Sequence, residues 1–227
     1  MEYVEVARAE SERGELVLRE RRDGAGPTVL ELRANGVFVM DTLETSTEQA
    51  LATAALGLVA DPRAVVVGGL GLGFTLHEVL ADSRVERCAV VEIEEALVGW
   101  MRDGTVPHGP ALLADERAAI VVADIAVAMA EARPASYDLV LLDVDNGPGY
   151  LVHDTNERLY QAGFLEQARA ALRPGGALVV WSAAEAPELD RTLARVFGDA
   201  EARPLQVRLQ ERDEHYWLYV ARVTSTA

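Results

Sequence analysis

Lysine is missing from this 227-residue chain, and its 21 basic residues other than histidine are all arginine. That excludes a Schiff-base mechanism and the lysine of a phosphate-binding P-loop. Cysteine is nearly missing as well. The single Cys88 rules out an internal disulfide and a cysteine-rich metal site, and its neighbours in "RCAVVEIE" suit a core strand better than a nucleophile. No stretch approaches the roughly 18 uninterrupted apolar residues of a membrane span. The N-terminus, MEYVEVARAESERGE, has neither an apolar signal core nor an Arg-rich transit pattern, so the expectation is a soluble cytoplasmic protein. Positive charge is scarce, with 37 acidic residues giving a formal charge of −16. Such a chain repels nucleic acid and anionic membranes, and neither is expected as a partner. Cationic ligands such as polyamines or sulfonium compounds are compatible with it, although solubility alone also accounts for such a charge. The histidines His77, His108, His153 and His215 are scattered and make no metal pattern, so no metal is assigned.

What is present is a core. Half of the residues are hydrophobic, enough for one substantial domain with a small appendage. From Glu15 to Asp41 apolar and polar residues alternate around a "DGAG" turn and an Asn35-Gly36 turn, which predicts a small antiparallel β-meander in an N-terminal unit of residues 1–45. "STEQALATAALGLV", Ser46 to Val59, reads as a helix leading into a main domain of residues 46–227. From Arg63 onward short apolar runs alternate with helical patterns, as in "AVVVGG", "FTLHEVLA", "CAVVEIE" and "EALVGWMR". Strands apolar on both faces and interleaved with helices specify an α/β fold, a doubly wound, mostly parallel sheet. "LQVRLQE" and "HYWLYVARV" then predict an antiparallel C-terminal hairpin at its edge.

The chemistry-bearing residues fall at strand ends. Gly69, Gly71 and Gly73 in "VVVGGLGLGF" form a strand-to-helix turn, where glycine either lets a ligand approach the backbone or merely keeps the turn tight. Glu92 follows about 20 residues later, where an acid accepts ribose hydroxyls, and the pair points to an adenosine-containing ligand. Asp124 ends the third strand, as a site acid or a helix N-cap. Asp143 ends the fourth, in "DLVLLDVDNGPGYLVHD", where burial beside other carboxylates suits it to proton transfer. Asp145 is a second acid or the start of a turn. Trp181 walls a site or fills the core, and His153 is a proton carrier or a solvated loop residue.

These stretches, with "LYQAGFLEQARAALRPGGALVVWSA", resemble the spermidine synthase family of aminopropyltransferases, which shares the class I S-adenosylmethionine methyltransferase fold. The resemblance covers most of the chain, the N-terminal meander and helix included. It implies a nucleoside held by the glycine turn and by Glu92 on the ribose, Asp124 on the adenine amino group, and Asp143 as the group that deprotonates an attacking amine. It also implies decarboxylated S-adenosylmethionine as co-substrate, a small-molecule acceptor of the cationic amine type and a homodimer. The loop from Asn146 to Asp154 becomes a lid with Gly147 and Gly149 as its flexible points.

The chain departs from the family pattern. Leu72 stands where the family's glycine turn carries an aspartate for the aminopropyl ammonium, Asn146 matches a second loop acid, and Thr47 and Glu48 match a tyrosine-glutamine or tyrosine-histidine pair. Glu44, Glu48, Asp145 and Asp154 are candidate replacements, with Glu48, Asp145 and Asn146 expected at the acceptor. Three readings stay open: an aminopropyltransferase, a methyltransferase that uses S-adenosylmethionine on a small molecule, and a non-catalytic nucleoside-binding protein.

Overall fold

The computed structural model describes residues 2–24, 26–144, 146–209 and 212–224, and for 207–209 and 212–214 the backbone alone. The chain opens with four antiparallel strands in sequential order: β1 (Glu2–Ser11), β2 (Gly14–Arg22), β3 (Val29–Ala34) and β4 (Val37–Asp41). The predicted meander is β2 to β4. β1 was not anticipated, because its charged, outward-facing sequence hides the alternation. Leu16 faces Ala34 and Leu18 faces Leu32 across the β2–β3 ladder, and all four are buried. The opposite face carries the ion pairs of Glu31 with Arg19 (2.6 Å) and Arg33 (2.7 Å), which keep a buried carboxylate neutralised.

Helix α1 (Ser46–Leu56) follows, and its alanine/leucine body presents Leu51, Ala52, Ala55 and Leu56 to the core. The second sheet has seven strands: β5 (Ala64–Gly68), β6 (Arg87–Glu92), β7 (Ala118–Val122), β8 (Tyr137–Leu142), β9 (Leu172–Ser182), β10 (Asp199–Leu209) and β11 (Arg212–Arg222). Their order is β10-β11-β9-β8-β5-β6-β7. The five from β5 to β9 run parallel, and the β10–β11 hairpin adds two antiparallel strands at one edge. This is the doubly wound, mostly parallel sheet that the sequence predicts. The hairpin's tip, residues 210 and 211, lies outside the described residues.

Alternation along the strands divides the core between two faces. Val65, Val67, Val90, Leu139, Leu141 and Val179 pack against α1, α2 (Phe74–Ala81) and α3 (Glu95–Asp103). Val66, Val91, Val140, Leu142, Leu178 and Val180 face α5 (Ile125–Glu131), α6 (Ala162–Ala171) and α7 (Pro187–Phe197). A short α4 (Gly109–Leu113) and a 3-10 segment, Asp154–Tyr160, complete the chain. Each of these aliphatic side chains contributes about 1.5–3 kcal/mol by leaving water. Leu16, Leu18, Leu32 and Met40 of the small sheet join the first of the two clusters, so the meander is packed onto the main body of its own chain.

Candidate active site

Strand order reverses between β5 and β8, and the crevice outside the carboxyl ends of those strands is where such sheets bind ligands. A cavity lies there. It is lined by Gly69 and Gly71 after β5, Glu92 at the end of β6, Asp124 after β7, Asp143 after β8 and Trp181 in β9, closed by Met40 of β4 and Glu48 of α1. The expected nucleoside residues therefore converge, except Gly73, which stands outside the lining as the left-handed residue preceding α2 and faces Leu112 and Met101. Gly69 is required sterically. It has φ 93°, and any Cβ there would strike the carbonyl of Asp143, whose N–H donates to the Gly68 carbonyl at 2.8 Å.

Glu92 is buried with both carboxylate oxygens engaged: Oε2 accepts from the Leu70 N–H and Oε1 from the Glu94 N–H, each at 2.8 Å. Burial pushes its pKa up, against the pull of those amide donors. Each oxygen keeps a second lone pair, so a ribose diol fits the set. Asp124 is a helix N-cap that also lines the cavity. Its Oδ1 caps α5 by accepting from the Ala126 N–H (2.8 Å), while Oδ2 pairs with Arg158 of the 3-10 segment, a contact the sequence gave no sign of. Arg13, from the β1–β2 turn, also reaches the cavity and pairs with Glu94 at 3.0 Å.

Asp143 is half-buried at the end of β8. The Thr75 hydroxyl, in the first turn of α2, donates to its Oδ2 at 2.5 Å and favours the charged form. Burial outweighs that bond and lifts the Asp143 pKa to about 6. Glu48 is raised further, to about 7, by burial and then by the Asp143 charge, against a 2.7 Å bond from the Thr47 hydroxyl. Two carboxyls thus share the end of the cavity, and with no cation bound the pair retains a proton near neutrality. Thr75 was not singled out from the sequence, although a hydroxyl directly after the glycine turn was its available signal.

Glu48 also lines a second cavity, which shares Val39, Met40, Asn146 and Trp181 with the first and adds Phe38, Asp41, Glu44, Tyr150 and Tyr216. Asn146 is held by its carbonyl, which accepts from the Ala183 N–H at 3.1 Å. Asp145 lies outside the described residues. Gly147, at φ 84°, faces Ser182 so closely that a Cβ would clash, a steric requirement beyond the flexibility expected of it. Leu72 is wholly buried in the core, its N–H donating to Met40 Sδ (3.1 Å) and its carbonyl 2.6 Å from His108 Nε2. It contributes no side chain to the site. Cys88 is buried too, its thiol pushed up to about 12, as a core residue should be. Among the described residues no helix is long and apolar enough to cross a membrane.

Residues 44–199 match the spermine/spermidine synthase domain, a stretch that holds Glu48, Glu92, Asp124 and Asp143. The chain belongs to the spermine/spermidine synthase family. It is 33% identical to putrescine N-methyltransferase 3 of Nicotiana tabacum over 123 residues, 53% of this chain and 30% of that protein. To polyamine aminopropyltransferase 2 of Pseudomonas aeruginosa it is 34% identical over 124 residues, 53% of this chain and 33% of the relative. These alignments span about a third of the relatives' length. A spermidine synthase solved with the transition state analogue AdoDATO shares the fold, with TM-score 0.81 and 19% identity over 96% of this chain and 73% of that one.

Proposed function

We propose that the chain is a transferase that moves the aminopropyl group of decarboxylated S-adenosylmethionine onto an amine. The observation that carries this reading is the Asp143–Glu48 pair at the junction of the two cavities, within a family fold whose glycine turn and Glu92 suit a nucleoside. Asp143 accepts the proton of the attacking nitrogen. The amine lone pair forms a bond to the carbon beside the sulfonium, the carbon–sulfur bond breaks, and methylthioadenosine leaves. Glu48 supplies a negative charge for the acceptor amine where the two cavities meet, while the loop position of the family's acid is occupied here by the core side chain of Leu72. Sulfonium and ammonium groups draw both carboxyls into their charged forms as they bind, so the base becomes active when substrate is present.

The cavity's cations also favour this donor. Among the described lining residues Arg13 is the one permanent cation, and it is committed to Glu94, so a methionine carboxylate finds two acids at the reacting end and no arginine. Methyl transfer from S-adenosylmethionine is the second reading, favoured by the likeness to a putrescine N-methyltransferase and by the absence of the loop acid at Leu72. Calorimetric titration with methylthioadenosine and S-adenosylhomocysteine separates them. Tighter methylthioadenosine binding is expected, and tighter S-adenosylhomocysteine binding would replace aminopropyl with methyl transfer. Binding of both without turnover on any amine would favour a nucleoside-binding protein.

We also infer a homodimer through the N-terminal sheet. Its β1 is an edge strand that leaves Val4 and Val6 exposed. Light scattering at micromolar concentration should give twice the chain mass, and a monomeric mass would remove the inference.

A further inference from the structure

Arg13 reaches the nucleoside cavity from the N-terminal meander, and the turn that carries it is held in place by a second turn. It lies between β1 and β2, where its N–H donates to Ser11 Oγ at 3.1 Å. Asn35, in the β3–β4 turn at φ 52°, clamps this turn: Nδ2 donates to the Arg13 carbonyl (3.1 Å) and Oδ1 accepts from the Glu15 N–H (2.9 Å). The Asn35 N–H in turn donates to the Glu15 carbonyl at 2.8 Å. Gly14, at φ 107°, makes room for the clamp, since a Cβ there would strike Asn35 Oδ1. Leu16, Leu32 and Ala34, from the strands that flank the two turns, line the same cavity as Arg13. From this platform the Arg13 side chain, 22% exposed, crosses to Glu94, whose own N–H holds Glu92 Oε1 at 2.8 Å.

The pairing with Glu94 defines what Arg13 has left to offer. Its Nε–H goes to Glu94 Oε1 at 3.0 Å, and the carboxylate answers its charge. Among the described residues the two terminal nitrogens have no hydrogen-bond partner. With the charge answered, those donors suit neutral oxygens better than an anion. Glu92, at the same end of the cavity, supplies acceptors only. A ribose hydroxyl has one hydrogen and two lone pairs, so a diol that gives its hydrogens to Glu92 still presents lone pairs that need donors.

We propose that Arg13 binds the nucleoside, its terminal N–H groups donating to the ribose hydroxyl oxygens whose hydrogens Glu92 takes, and that Asn35 positions it. This role rests on the nucleoside reading above and adds to it a residue that lies outside the matched stretch of residues 44–199.

Calorimetric titration with methylthioadenosine, its 2′-deoxy and 3′-deoxy analogues and S-adenosylhomocysteine tests this. Arg13→Met should weaken methylthioadenosine binding by about tenfold or more. The loss should shrink toward none for the analogue lacking the hydroxyl that Arg13 holds, and binding of that analogue reports that the variant is folded. Asn35→Gly keeps the left-handed turn and removes the clamp. It should weaken methylthioadenosine in the parent and add nothing in the Arg13→Met background. Unchanged methylthioadenosine affinity in Arg13→Met, or an equal loss for methylthioadenosine and both deoxy analogues, would overturn the binding role. Additive losses would overturn the positioning by Asn35, and a loss confined to S-adenosylhomocysteine would give the guanidinium to a carboxylate instead of the ribose. A parent protein that binds none of these nucleosides would remove the nucleoside reading and this role with it, whereas failure of the Arg13 role alone leaves parent binding intact.

Discussion

At Asp143 the Thr75 hydroxyl opposes burial, and the Asp143 charge in turn raises Glu48, so each effect has a measurable sign. The Thr75 hydroxyl stabilises the ionised form, so Thr75→Val should raise the Asp143 pKa and move the acid limb of kcat/KM upward by roughly one pH unit, with Thr75→Ser restoring it. An unmoved limb would mean that another group is the base. Stability gives an independent reading. Asp143 and Glu48 both titrate above their unfolded values, at about 6 and about 7, so the native chain holds protons the unfolded chain has released. Their contribution is full below about pH 4 and is lost as pH rises through those two values. Glu48→Gln should therefore raise Tm at pH 8 by a few degrees, on the order of 1 kcal/mol after allowance for partial solvation, and leave it unchanged at pH 4. The same variant should cost at least about tenfold in kcat/KM, since an amide offers the amine no charge.

At the scale of elements, the segment from Asn146 to Tyr160 is pinned at several points. The Asn146 carbonyl is tied to Ala183, the Tyr160 hydroxyl donates to the Val144 carbonyl at 3.0 Å, and Arg158 pairs with Asp124. Gly147 is the place where the segment crosses Ser182 with no room for a side chain. Gly147→Ala forces both a left-handed alanine and a clash, at a cost of about 1–3 kcal/mol. Because the strain is local, cleavage between Asn146 and His153 by a limiting amount of protease should accelerate more than Tm falls. Equal effects on both would place the strain in the global fold. The Gly-Pro-Gly composition of this stretch marks it in the sequence as a loop, but the contact with Ser182, 35 positions away by numbering, arises only when β9 lies beside β8.

For the molecule as a whole, the shared core is the decisive feature. Leu16, Leu18, Leu32 and Met40 sit in one cluster with Val65, Leu139 and Val179, so the four-stranded sheet and the seven-stranded sheet should unfold together. Urea denaturation followed by far-ultraviolet circular dichroism and by tryptophan fluorescence should give coincident single transitions. Separated midpoints would make the meander an independent unit.

The residues by themselves specified much of this protein. Runs such as "AVVVGG" and "YDLVLL" require cover on both faces and hence a parallel sheet between helix layers, and a carboxylate at a strand end is delivered to the sheet's crevice by local geometry alone. Glu92, Asp124 and Asp143 were legible for that reason. The β1 strand was not, since its charges obey solvent rather than a core, and neither were Arg158, Arg13 or Met40, whose places depend on separate loops meeting. Glu48 was a candidate by its matched position, but only α1 packing against the sheet sets it beside Asp143. Burial then raises both carboxyls and the Asp143 charge raises Glu48 further, and these are properties of neighbours in space that no sequence interval encodes.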